Sequence, residues 1–232
     1  VTASSHRLEL PVPAAAGDVV DAVVHRPERP SGPPVLLVPG AGGSLDSEPL
    51  VALAELVAGC GHTVVRANLV HHQEQRRAPR AETSVAGFRD VLAAARAAHS
   101  AAPQGPWVLG GRSYGGRVAS LAVAGGTPAA GLLLSGYPLH PPGKPDRLRV
   151  DHWPNVGVPC LFVQGDHDPM ADLELLETSR RKLPRRSQVA IVPGGDHALR
   201  VTAARSPDGV PRSPTAGLAE VAPAIRAWLA ER

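Results

Sequence analysis

Aromatic side chains are scarce in this sequence. Phe, Trp and Tyr make up 3% of its 232 residues, so small aliphatics, abundant alongside Ala, Gly and Pro, have to fill the interior. Long apolar runs are missing as well: none approaches the roughly 18 residues that span a bilayer. The opening stretch VTASSHRLEL lacks the basic-then-apolar order of a secretory signal. These two absences predict a soluble, cytoplasmic protein with no membrane partner. Cysteine is limited to Cys60 and Cys160, both in apolar surroundings, which fits buried free thiols in a reducing compartment and no disulfide. The formal charge is +3 and the pI near 9.3. The Arg residues are nonetheless interspersed with acids and form no stripe, so no nucleic-acid partner is expected.

What is present is enough apolar material, 43% of the chain, for one sizeable core. Single cores grow to about 250 residues before chains split, so residues 1–232 read as a single domain. Two short β-like segments, Leu8 to Val12 and Val19 to His25, flank the Gly-containing stretch AAAGD and suit an antiparallel hairpin. Val35-Leu36-Leu37-Val38 then reads as a strand buried on both faces. Helical and strand patterns alternate after it. Helices are expected at Pro49 to Ala58, Val85 to Ala98, Tyr114 to Ala124, Ala171 to Lys182 and Leu218 to Ala230. Strands are expected at Thr63 to Ala67, Trp107 to Gly110, Gly131 to Ser135, Val158 to Gln164 and Gln188 to Val192. Such alternation implies an α/β fold, a mostly parallel central sheet with helices on both faces. Long polar connections at Val70 to Glu82, Tyr137 to Pro154 and Thr202 to Pro214 are where a substrate would be met.

The strongest local signal is Gly111-Arg112-Ser113-Tyr114-Gly115-Gly116, set between an expected strand and an expected helix. G-x-S-x-G in that setting is a nucleophile elbow. The turn is tight and needs small neighbours, and the helix N-terminus behind Ser113 favours the negative charge that builds during acyl transfer. A serine hydroxyl also needs a positioned base and a carboxylate to orient it. Asp168, in Gly165-Asp166-His167-Asp168-Pro169, follows a strand and is the expected acid; Asp166 is the alternative. His197, in Gly194-Gly195-Asp196-His197, comes third in chain order, where the base belongs. Pro39-Gly40-Ala41-Gly42-Gly43 closes the third strand, and the backbone N–H groups of Ala41 and Tyr114 are the candidate oxyanion donors. No cofactor is required. His71 and His72 have no ligand-like companions, so no metal is expected. The Gly-rich loop lacks G-K-[ST] and the G-x-G-x-x-G spacing, which argues against a nucleotide.

On these residues the chain resembles the α/β-hydrolase superfamily. It is most similar to the branch that includes testis-expressed and NSL-complex-subunit relatives, often described as dienelactone-hydrolase-like. The resemblance rests on the run Gly110 to Ser120, on Tyr137-Pro138-Leu139-His140-Pro141-Pro142-Gly143-Lys144-Pro145 with Leu148-Arg149, and on Gln164 to Pro169. It implies an α/β-hydrolase fold without a large cap domain, and it places Ser113, Asp168 and His197 on triad positions. One departure is Pro39, where the family commonly carries His before Gly-Ala-Gly. The exchange removes a side chain near the hole and no backbone donor.

The segment Tyr137 to Pro154 is expected to form a low rim over Ser113. Arg112, Tyr137, His140, Lys144 and Arg149 are the candidate substrate contacts, with the cations suited to a carboxylate or phosphate; surface ion pairs are the other use for such charges. The expected activity is hydrolysis of a small ester or thioester through an acyl-enzyme, with a small acyl substrate as the only partner. The alternatives are an interaction protein on a hydrolase scaffold, or an acyltransferase or cyclase using the same intermediate. Oligomeric state is not legible.

Overall fold

The computed structural model describes residues 3–13, 15–99 and 105–232. Val35–Val38 forms β3, and its alternation decides where everything else packs. Leu36 and Val38 point into one hydrophobic cluster, Val35 and Leu37 into another, because successive side chains of a strand face opposite ways. Phe162 and Leu161 divide in the same way on β7, Cys160–Gly165. Two apolar faces require two layers of helix.

On one face lie α1 (Glu48–Gly59) and α6 (Pro214–Ala230), which pack together over Val35, Leu37 and Leu161, with Trp228 of α6 in the same cluster. On the other lie α3 (Val85–Ala98) and α4 (Tyr114–Ala124), burying Phe88, Val91, Val118 and Ala119. The remaining strands are β1 (Ala3–Pro11), β2 (Val19–Pro27), β4 (Val64–Ala67), β5 (Val108–Arg112), β6 (Gly131–Ser135) and β8 (Ser187–Val192). Together they form one eight-stranded sheet in the order β1-β2-β4-β3-β5-β6-β7-β8. The expected hairpin is present: β1 and β2 pair antiparallel with Leu8 opposite Ala22, and β2 continues antiparallel onto β4. The pairings from β4 through β8 are all parallel. Ala14, in the hairpin connection, lies outside the described residues. No large cap domain is present among the described residues.

Several boundaries differ from expectation for local reasons. The helix expected over Ala171 to Lys182 is α5, Leu173–Ser179, followed by a separate turn of 3-10 helix at Arg180–Lys182. Its start is fixed by the Asp172 carboxylate, which accepts the Leu175 N–H at 2.9 Å. The last helix begins four residues early, at Pro214, because Ser213 Oγ accepts the Ala216 N–H and proline suits the first turn. The connection after β4 is not wholly irregular: it holds a short helix α2, Val70–Gln73, and a 3-10 turn at Ala81–Ser84. Cys60 and Cys160 are free thiols, and burial pushes the Cys160 thiol up to about 12. Among the described residues no helix is long and apolar enough to cross a membrane.

Candidate active site

Ser113 sits between β5 and α4 with φ 50° and ψ −115°, a backbone conformation that costs energy in a residue with a side chain. Its own N–H is anchored on the Ser135 carbonyl of β6 at 2.8 Å. The glycines of the elbow are required by β3. A Cβ on Gly115 would lie 2.4 Å from the Val38 carbonyl oxygen, and one on Gly111 2.2 Å from the same atom. The elbow is thus pressed against the end of β3, which brings the serine beside the Pro39–Gly43 loop.

The imidazole of His197 faces Ser113, with Nε2 2.8 Å from Oγ. Its Nδ1 lies 2.7 Å from Oδ2 of Asp168. The Asp168 side chain is 0% exposed, and a buried carboxylate has to be matched by donors. Oδ2 also accepts from the Gln164 side-chain amide, and Oδ1 accepts the Met170 N–H at 2.8 Å. An acceptor at Oδ2 fixes the imidazole proton on Nδ1 and leaves the Nε2 lone pair for the serine hydroxyl. Asp166 instead turns outward and pairs with His167 at 2.8 Å. The histidine loop is seated by backbone contact: a Cβ on Gly165 would lie 2.2 Å from the Gly195 carbonyl oxygen. Asp196 closes the loop by accepting the N–H groups of Ala198 and Arg200 at 2.8 and 3.0 Å.

Ala41 and Tyr114 line the same cleft as Ser113. Tyr114 opens α4, so its N–H has no carbonyl a turn behind it, and the Ala41 N–H takes no partner among the described residues. The Gly40 carbonyl, in the same peptide unit as the Ala41 N–H, accepts from His72 Nε2 at 2.9 Å and from the Gly43 N–H at 3.0 Å. His72 Nδ1 in turn accepts the Leu69 N–H at 3.2 Å. Among the described residues no group of three or more His, Cys, Asp or Glu side chains is placed to hold a metal ion.

The cleft in front of Ser113 has a volume of about 520 Å³, within the usual range for a small-molecule site. Pro79, Ala81, Pro138 and Met170 supply its apolar lining, and Arg80, Glu82, Arg117 and Arg149 its charge. Arg117 forms an ion pair with Glu82. Of the five expected substrate contacts, only Arg149 is there. Tyr137 is fully buried: its hydroxyl donates to the Arg149 carbonyl at 2.9 Å and accepts from Trp153 Nε1 at 3.3 Å. His140 is buried and structural, with Nδ1 donating to the Pro141 carbonyl and Nε2 accepting the Asp172 N–H. Lys144 is exposed on a turn outside the cleft. Arg112 lies behind the site, where Nη2 donates to the His197 carbonyl at 3.2 Å. Burial lowers the pKa of its guanidinium, while the Asp168 and Asp196 carboxylates act in the opposite sense. Gln164 and His72 were not anticipated. Gln164 had left a trace, as the one amide in the apolar strand Cys-Leu-Phe-Val-Gln-Gly.

A mostly parallel sheet flanked by helices, with a strained serine on the elbow between β5 and α4 and the His197–Asp168 pair on the loops after β8 and β7, defines the α/β-hydrolase fold. The chain belongs to the alpha/beta hydrolase domain family, whose model matches residues 32–229. It is similar in structure to a lidless α/β serine hydrolase from Xanthomonas campestris, at 22% identity and TM-score 0.71, over 99% of this chain and 97% of that one. It is also similar to Est1E from Butyrivibrio proteoclasticus, at 16% identity and TM-score 0.72, over 97% and 98% of the two chains. A dienelactone hydrolase from Anabaena variabilis aligns at 18% identity and TM-score 0.70, over 100% and 99%. At these identities the likeness is one of fold.

Proposed function

We propose that the protein is a serine hydrolase of small esters or thioesters, working through an acyl-enzyme on Ser113. The observation that carries this reading is the unbroken line from Ser113 Oγ through His197 to the buried Asp168 carboxylate. In the first half-reaction His197 Nε2 takes the hydroxyl proton as Oγ attacks the substrate carbonyl carbon. The carbonyl oxygen becomes an oxyanion held by the N–H groups of Ala41 and Tyr114. The intermediate collapses as His197 passes its proton to the departing alcohol or thiol, leaving the acyl group on Oγ. In the second half, His197 takes a proton from water, the resulting hydroxide equivalent attacks the acyl carbon, and the proton returns to Oγ as the acid leaves. Asp168 holds the imidazole in its working tautomer and stabilises the imidazolium. No cofactor enters these steps.

The motif Tyr137 to Pro145 supports placing the chain in the testis-expressed and NSL-complex-subunit-like branch. Because its Tyr and His are both buried in structural roles, that motif speaks for ancestry and not for substrate. The continuous sheet supports one domain over residues 1–232, and a cytoplasmic setting fits the free thiols. Intact-mass analysis after treatment with a fluorophosphonate tests the function. Wild type is expected to gain one label and Ser113→Ala none; a folded wild type that takes no label overturns the proposal and favours an interaction protein on this scaffold.

A further inference from the structure

The charge in the cleft is unbalanced. Among its described lining residues are three guanidinium groups, on Arg80, Arg117 and Arg149, and one carboxylate, on Glu82. Glu82 is already engaged by Arg117. Arg149 makes no ion pair with any carboxylate among the described residues. Its position is nonetheless fixed. The Arg149 N–H donates to the Leu139 carbonyl at 2.8 Å, and its carbonyl accepts from the buried Tyr137 hydroxyl at 2.9 Å. Tyr137 is held in turn by Trp153 Nε1 and by the edge of Phe162. A loop residue clamped through both of its backbone groups presents its side chain from a rigid base. Among the described residues no hydrogen bond or ion pair uses the guanidinium so presented. Burial, the largest influence, and the neighbouring Arg117 lower the Arg149 pKa, while Tyr137 and the Glu82 carboxylate act in the opposite sense.

Resting on the hydrolase reading, we infer that Arg149, with Arg117 beside it, forms an anion subsite, and that the substrate is an ester or thioester bearing a second, ionised carboxylate. A guanidinium is planar and matches a carboxylate through paired N–H donors, so it selects for that group over a neutral ester of equal length. The lining near it, Pro138, Ala81 and Met170, accepts a short methylene chain between the scissile carbonyl and the distal acid. Lys144 and Arg147, on the same segment, are exposed and do not line the cleft, so Arg149 is the residue of that segment that reads charge.

The N-acetylcysteamine thioester of adipic acid and its ω-methyl ester share the scissile thioester and the methylene chain and differ at the distal end, an ionised carboxylate in one and a neutral methyl ester in the other. Wild type is expected to prefer the acid, and Arg149→Gln to lower the acid-to-methyl-ester ratio of kcat/KM by about 10- to 100-fold, the scale of a charge-assisted pair. Arg149→Lys keeps the charge without the fork and should fall between. Added salt should erode the wild-type preference. A second readout does not depend on the leaving group: glutarate should slow fluorophosphonate labelling of wild-type Ser113 more than glutaramide does, and lose that advantage in Arg149→Gln. Labelled wild type with no preference for acid, or a preference unchanged in Arg149→Gln, overturns the subsite and leaves the hydrolase reading standing. An unlabelled wild type removes both.

Discussion

His72 Nε2 lies 2.9 Å from the carbonyl oxygen of Gly40, and this fixes the direction of a neighbouring N–H. The Gly40 carbonyl and the Ala41 N–H belong to one planar trans peptide and point in opposite directions. A donor that pins the carbonyl therefore aims the N–H, here toward the cleft that Ala41 and Ser113 share. Burial lowers the His72 pKa, which keeps the ring neutral, with its proton on Nε2 because Nδ1 accepts from Leu69. His72→Ala should lower kcat by about 10- to 100-fold, less than outright loss of an oxyanion donor, with KM little changed. His72→Gln, whose amide can donate to the same carbonyl, should recover part of the loss. Steady-state kinetics on any accepted ester, beside a urea midpoint equal to wild type, separates this from simple unfolding.

Asp168 and Asp166 are two residues apart and have different surroundings. Asp168 is buried with donors on both oxygens, while Asp166 faces solvent beside His167. Asp168→Asn should reduce kcat by about a thousandfold to ten-thousandfold, because an amide no longer enforces the working tautomer. Asp166→Asn should remain within about twofold of wild type, the effect of an exposed pair being small. A large loss in Asp166→Asn would mean that this second carboxylate, and not Asp168 alone, serves the histidine. Gln164→Leu should fall between these, since it removes one donor to Asp168 and one acceptor for the Tyr137 N–H.

Most of the frame was readable because parallel strands buried on both faces announce themselves. Val35–Val38 and Gly131–Ser135 fall where the apolar runs lie, and the elbow carries its own signature in two glycines that β3 forbids to be anything larger. Chain order then ranked the histidines and acids. Burial of the residues after β6 was not readable. Tyr137 and His140 have polar tips that fit a binding rim as well as an internal brace, and what decides between them is a partner distant in sequence: Trp153 and Arg149 for one, Asp172 for the other. The same limit hid His72, whose partner Gly40 lies 32 residues away. Helix ends moved for a simpler reason: capping by Asp172 and Ser213 competes with periodicity over the first turn.

The pressure of the elbow against β3 predicts a sharp contrast between two glycines. In Gly115→Ala the new Cβ meets the Val38 and Pro39 carbonyl oxygens at 2.4 and 2.5 Å; both are backbone atoms that cannot rotate away. The loss should be about 2–3 kcal/mol, as for overpacked interior sites. A methyl group added at Gly42 would meet nothing within 4 Å, so Gly42→Ala should stay within about 0.5 kcal/mol of wild type. Urea unfolding followed by circular dichroism reads both, and equal midpoints would mean that the close approach is absent in solution.

Three histidines, His25 and His71 buried and His152 partly buried, predict how stability responds to acid. The imidazoles of His25, His71 and His152 are lowered to about 4 by burial, with Arg66 adding to the effect at His25 and Arg117 at His152. An unfolded chain holds histidine near its ordinary value of about 6.5. Between these values the unfolded state binds protons that the native state refuses, so stability rises with pH across this interval. It is fully present above 6.5, is lost as pH falls toward 4, and levels off below that as far as these groups are concerned. His25 gives the cleanest probe, because Arg66 Nε donates to its Nε2 at 2.8 Å. A proton arriving on Nε2 would meet that donor head on. His25→Gln keeps an acceptor for Arg66 and cannot take up the proton. Its stability should therefore fall less than that of wild type between pH 7.5 and 5, with the slopes against pH coming to differ by about one bound proton toward pH 5. Urea midpoints measured across that range check the slope, and parallel curves for the two proteins would show that His25 titrates normally in the native state.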